Sequence, residues 1–243
     1  MSTTDRLMQR HPLQRLSSPS RGISALLHVT GLASNAFSFH WLVTHPNKIN
    51  DSYGWHFQYL TIVGLTLTTT TFLAGLLADL TGSSHLFTIK NTLSIASAPM
   101  EVLISLLYCG LSAIDPRLVI PPDLPQLPLL ADMSFHLAPA ALLIVDLLFF
   151  SPPYSISSLP SFGLSGIIAL AYYVWVEHCY SKNGFYPYPI FDEAGFTGRI
   201  ILFTGSALVM GIATGVLKGM YAAVNGREMD LRYKPSISSK KRR

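Results

Sequence analysis

The 243-residue chain is 49% hydrophobic and only 12% charged, with a mean hydropathy of +0.38 and a net charge of +4. An ordinary soluble domain carries about twice that density of charge. With many of its charges gathered towards the two ends, this composition excludes a water-soluble enzyme and shows no basic patch for nucleic acid. It points to an all-α integral membrane protein.

Residues 1–22 are polar, carry Arg6, Arg10, Arg15 and Arg21, and lack the apolar core and small-residue site of a cleaved signal peptide. They read as a disordered basic tail. Six apolar stretches follow: Ile23–Val43, Gln58–Leu80, Thr92–Ala113, Met133–Phe150, Phe162–Tyr180 and Ile200–Val224. Each is about long enough to cross a hydrocarbon core of roughly 30 Å at 1.5 Å per residue. Continuous rather than alternating apolarity argues against a β-barrel. A second basic tail, 225–243, ends in Lys240-Lys241-Arg242-Arg243, which fits either a dilysine retrieval signal or a plain basic tail. Four cations in the first tail, Lys90 in the second loop and seven in the last tail stand against Lys48, Arg117, Lys182 and Arg199 in the odd loops. Twelve against four predicts cytosolic termini, as an even number of spans also requires.

The loops add smaller signals. The third, Ile114–Ala131, is proline-rich and is expected to run extended along the membrane surface. The fifth carries Tyr186, Pro187, Tyr188 and Pro189, which suits an interfacial aromatic belt. Asn50-Asp51-Ser52 forms a glycosylation sequon in a predicted luminal loop. Cys109 and Cys179 lie near the luminal ends of their spans, either as reduced thiols or as a disulfide if the third and fifth spans touch. Gly211, Gly215 and Gly219 make a small-residue stripe that serves close packing within the chain or a homodimer face.

Polar groups inside spans mark functional sites by default. Sorted by depth, His40, Thr61, His136, Glu177 and His178 share the luminal level, while His28, Asn35, Asp79, Glu101 and Asp146 lie deeper or nearer the cytosol. A threonine hydroxyl needs a base to become a nucleophile, and a neutral histidine is the commonest one. Thr61 and His136 open the second and fourth spans, which run in the same direction, so they fit a nucleophile and its base. Asp132, Glu177 or His178 could orient the imidazole, and the oxyanion donors are not identified. The bland alternative is that Thr61 bonds its own i−4 carbonyl, as expected for Thr66 and Thr68–Thr71, and that His136 bridges helices. No G-x-S-x-G, H-E-x-x-H, CxxC or P-loop is present, and the eight scattered histidines do not form metal boxes.

The run Tyr53-Gly54-Trp55-His56-Phe57-Gln58-Tyr59-Leu60-Thr61 and the closing Ala78-Asp79-Leu80 resemble the androgen-induced and androgen-dependent membrane proteins. His136 with Pro139, Trp175-Val176-x-His178, Tyr186-Pro187 and Gly198-Arg199-Ile200-Ile201 continue the match in order over roughly residues 23–225. The resemblance implies a multi-pass threonine hydrolase, and the dilysine reading of Lys240-Lys241 would place it in the endoplasmic reticulum. It would cleave fatty acid esters of hydroxy fatty acids, with Thr61 as nucleophile, His136 as base and no metal or organic cofactor. The chain departs from the animal members at Met133, where they have a second histidine, and at Glu101, where a small residue is commoner. A non-catalytic lipid-binding protein of the same fold is the rival expectation, and a small-solute carrier a weaker third.

Overall fold

The computed structural model describes residues 11–122, 124 and 126–227, which contain helices and no strand. The helices are α1 (Ile23–Thr44), α2 (Leu60–Thr81), α3 (Ser84–Ile114), α4 (Leu129–His136), α5 (Ala138–Phe150), α6 (Ser158–Asn183), the short α7 (Pro189–Glu193) and α8 (Gly195–Asn225). Four of them, α2, α3, α6 and α8, are long and apolar enough to span a bilayer. The pair α4 and α5, bent by 45°, makes a fifth candidate span. The predicted first span, α1, has the length at 22 residues but fails on apolarity. The reason lies in its buried face, which is Ser24, His28, Gly31, Asn35 and Ser38, while Ile23, Leu26, Val29 and Val43 point outwards. A helix that turns its polar stripe inwards and its aliphatic side chains outwards suits a lipid surround and scores poorly on mean hydropathy.

The same inversion holds for the bundle. Leu77, Ile167, Leu170, Val174, Ile201 and Val216 are exposed, whereas Asp79, Lys90, Glu101 and Asp146 are buried. Glycines allow the helices their close approaches. A methyl group at Gly75 would stand 2.5 Å from His28 Nε2, and one at Gly211 2.3 Å from Phe162. Gly211 therefore packs within the chain, between α8 and α6, while methyls at Gly215 and Gly219 would meet no atom. Cys109 and Cys179 are both free thiols.

Two expectations about the end opposite Thr61 are corrected. Gly82 closes α2 at φ +69°, and Ser83 immediately caps α3 by accepting the Leu86 N–H at 3.3 Å. The second loop therefore shrinks to two residues, and Lys90, expected there as a free cytosolic charge, lies inside α3 and fully buried. Its ammonium sits 2.8 Å from Asp146 Oδ2 and 2.8 Å from the Ser151 hydroxyl. His28 Nε2 lies 3.2 Å from Asp146 Oδ1, and its Nδ1 2.7 Å from Asp79 Oδ2. With a proton on each imidazole nitrogen both can donate, and two cations balance two carboxylates.

Residues 11–22, expected within a disordered tail, instead form a strap across this end. Helix C-termini leave carbonyls without intrahelical partners. The strap supplies donors to three of them: Leu16 N–H to Phe149 O of α5, Arg21 to Leu80 O of α2, and Arg15 to Val224 O of α8. Ser20 N–H reaches Asp79 Oδ1 at 2.8 Å, which ties the strap into the ion network. The last tail lies outside the described residues beyond 227, its four terminal basic residues included.

Candidate active site

At the other end, α2 begins with a built lead-in. The 3-10 turn Trp55–Gln58 presents Phe57 O and Gln58 O to α6, where they accept hydrogen bonds from Trp175 Nε1 and the Tyr172 hydroxyl. Gly54 at φ +84° makes the entry possible, since a methyl there would sit 2.8 Å from Cys179 Sγ. Tyr53 is fixed by Asn183 on both its N–H and C=O, and its hydroxyl meets His178 Nε2 at 3.1 Å. Trp175 and His178 thus position the turn from which Thr61 emerges.

Thr61 stands in the first turn of α2. Thr66, Thr69, Thr70 and Thr71 bond their i−4 carbonyls as expected. Thr68 departs by donating to Glu101 Oε1. The Phe57 carbonyl is taken by Trp175, and the Thr61 hydroxyl instead lies 3.5 Å from the Tyr188 hydroxyl.

His136 closes α4 at a break in the fourth span. Pro139 has no N–H to donate, and Leu137 leaves helical geometry at φ −122°. The Ser105 hydroxyl donates to the freed His136 carbonyl, and Ser38 joins Ser134 at 2.8 Å, so α3 and α1 hold the short helix. His136 Nδ1 lies 2.8 Å from Asp132 Oδ1, one turn back. The imidazole stacks on Tyr108 with centroids 3.5 Å apart and planes within 5°. Nδ1 is occupied, which leaves Nε2 for chemistry.

Thr61 and His136 line one open cavity, together with Trp41, Asn47, His56 and Gln126. The third loop does not run along the surface as expected. Val119, Ile120, Pro121 and Leu124 fold over this cavity as its wall. A second cavity, almost wholly apolar, extends between α3, α6 and α8 among Met100, Leu103, Ile168, Phe203 and Met210. Thr61, Tyr108, Val119 and Tyr188 are common to both, while His136 faces only the more polar one. No hydrogen bond joins Thr61 directly to His136.

The other sequence candidates are placed elsewhere. Glu177 pairs with Arg199 at 2.8 Å and accepts from the Tyr186 hydroxyl; His178 serves Tyr53; His40 is exposed and lines neither cavity. Asp132 alone among the three named orienting groups reaches the imidazole. Tyr108 and Tyr188 were missed as site residues; the only trace of Tyr188 is its frame of Pro187 and Pro189, which holds a loop tyrosine in one place. His56, also unforeseen, is buried enough that its pKa falls to about 4, so its imidazole is neutral at physiological pH. Among the described residues no group of three or more His, Cys, Asp or Glu is arranged to hold a metal.

The sequence profile of the FAR-17a/AIG1-like proteins matches residues 23–222. A UPF0641 membrane protein of Schizosaccharomyces pombe is 39% identical over 194 residues, covering 79% of this chain and 87% of the relative. No solved structure matches the chain. A match over nearly the entire bundle, with a membrane-protein relative at that identity, shows that the chain belongs to the FAR-17a/AIG1-like family of multi-helix membrane proteins.

Proposed function

We propose that this protein is an intramembrane lipid ester hydrolase of the endoplasmic reticulum, acting on fatty acid esters of hydroxy fatty acids through an acyl-threonine. The observation that carries the reading is the position of Thr61 at the junction of two cavities, with the Asp132-bound His136 facing only one of them. An ester with a long chain on each side of the carboxyl group matches that division. The acyl chain occupies the apolar cavity. The alcohol part occupies the more polar one, where His136 can reach the leaving oxygen.

His136 Nε2 takes the Thr61 proton as Oγ1 bonds to the carbonyl carbon, and the π electrons move to the carbonyl oxygen. Collapse of this adduct breaks the bond to the alkoxy oxygen, which leaves with the proton held by His136. Water, deprotonated by the same nitrogen, then attacks the acyl-threonine and releases the fatty acid. Asp132 holds the ring with Nδ1–H inwards and stabilises the imidazolium that forms.

One observation favours the rival reading of a non-catalytic lipid-binding protein: Thr61 and His136 share a cavity without a hydrogen bond between them. Resting sites often show such pairs apart, since the contact tightens on substrate. Fluorophosphonate labelling of the purified protein separates the two. Covalent label on wild type, lost in Thr61→Ala and His136→Ala that keep their thermal stability, is the expected result. Full labelling or normal ester turnover by Thr61→Ala overturns the mechanism.

A further inference from the structure

The hydrolase chemistry needs a donor for the oxyanion, and Tyr188 has the required position. Its hydroxyl lies 3.5 Å from Thr61 Oγ1, and the residue borders both cavities. An attacked carbonyl carbon bonded to Oγ1 brings its oxygen within hydrogen-bonding distance of a group so placed. The ring is held by edge-to-face contacts with Tyr59 at 5.3 Å and Phe191 at 5.5 Å, and by extended backbone between two prolines. A donor fixed before the reaction costs no reorganisation during it.

In the resting contact either hydroxyl can donate, and further polar groups surround the phenol oxygen. The backbone N–H groups of Leu60 and Thr61, in the first turn of α2 and without helical acceptors, face it, and the Tyr172 phenol adjoins it. Once His136 takes the Thr61 proton in the attack, the phenol is the partner left with a hydrogen to donate at the cavity junction. The partial positive charge of the α2 N-terminus, whose first amides lie near the phenol, also favours a negative charge at this point. Burial raises the pKa of Tyr188 above its usual value, so the proton is present throughout the physiological range.

On the hydrolase reading above, we propose that Tyr188 is a catalytic residue whose hydroxyl donates to the oxyanion formed when Thr61 attacks the ester carbonyl. The proton stays on Tyr188 throughout, since the donation stabilises charge without transferring it.

The test is steady-state hydrolysis of 4-nitrophenyl octanoate by the full-length protein in nanodiscs, comparing wild type, Thr61→Ala and Tyr188→Phe over a pH series. Tyr188→Phe is expected to lower kcat by roughly 10²- to 10³-fold. KM and the shape of the pH profile stay unchanged, which a merely structural loss would not produce. Wild-type kcat in Tyr188→Phe, or a loss confined to KM, overturns the proposal and leaves the hydrolase reading intact. Wild-type hydrolysis no faster than that of Thr61→Ala overturns both. Should Tyr188→Phe fail to fold, 3-fluorotyrosine at position 188 keeps the hydroxyl in place and makes it a stronger donor. A raised kcat then supports the assignment, and an unchanged or lowered one overturns it.

Discussion

Replacing Lys90 with methionine removes one charge from a fully buried ion network and keeps the length of the side chain. The ammonium lies 2.8 and 3.1 Å from the two oxygens of Asp146, and both side chains are fully buried. At an effective dielectric of about 20, a pair at 2.8 Å attracts with roughly 6 kcal/mol. Desolvation offsets much of this attraction, but the cost of removing one partner is different, because Asp146 is then left short of positive charge. That cost is about 3–5 kcal/mol for a buried pair. For a chain of this size, each kcal/mol corresponds to about 2–4 °C, so Lys90→Met should lower the melting temperature by roughly 6–20 °C. Fluorescence-detected melting in one detergent gives the value, and a cycle with Asp146→Leu tests its origin. The double variant leaves His28 opposite Asp79 alone, so it should be less destabilised than the sum of the singles by about 0.5–3 kcal/mol. A fall of less than 2 °C for Lys90→Met, or strict additivity in the cycle, would refute the burial of this pair.

Asp132→Asn keeps the shape at His136 but no longer fixes its tautomer, and kcat for ester hydrolysis should drop by about 10²- to 10⁴-fold while the protein stays folded. An unchanged kcat would remove Asp132 from the site. His56, with a folded pKa of about 4 against 6.5 when free, favours the neutral ring in the folded state. Its contribution is complete above pH 6.5 and declines as pH falls towards 4, by at most roughly 3 kcal/mol. His56→Gln should flatten that part of the stability profile, and a slope that persists assigns the dependence to another group. Gly54→Ala places a methyl against Cys179 Sγ at φ +84°, with an expected loss of about 1–3 kcal/mol. Because the turn sets the start of α2, ester turnover should fall with it, and a variant as stable and active as wild type would contradict the lead-in described.

Depth was a good guide to which residues share a cavity, because span order fixes which ends meet. Thr61 and His136 could be placed at one level from the apolar runs, and Asp132 is one helical turn from His136. Tyr188 and Tyr108 could not be found in that way. Tyr188 arrives from a loop 127 residues beyond Thr61, and its two prolines read equally well as interfacial punctuation. Tyr108 is one aromatic among many on α3 until its stack with His136 is seen. Lys90 was misplaced because Gly82 and Ser83 turn the chain in two residues, where the hydropathy of 81–91 suggests a longer loop. His28, Asp79 and Asp146 were legible as deep polar groups, but their convergence depends on helix rotation, which apolar content does not report.

The strap has a consequence for the order of assembly. Arg15 meets the Val224 carbonyl and Leu13 O accepts from the Tyr221 hydroxyl, contacts that join residues 209 and 208 positions apart. The strap is synthesised ahead of the whole bundle, and α8 is the last of its partners to follow. Its contacts with Leu80 of α2 and Phe149 of α5 can form as those helices arrive, but it closes fully only after α8 is in place. A chain that has not yet placed α8 therefore holds the strap by only part of its contacts, with Arg15 and the Leu13 carbonyl still without the partners that α8 brings.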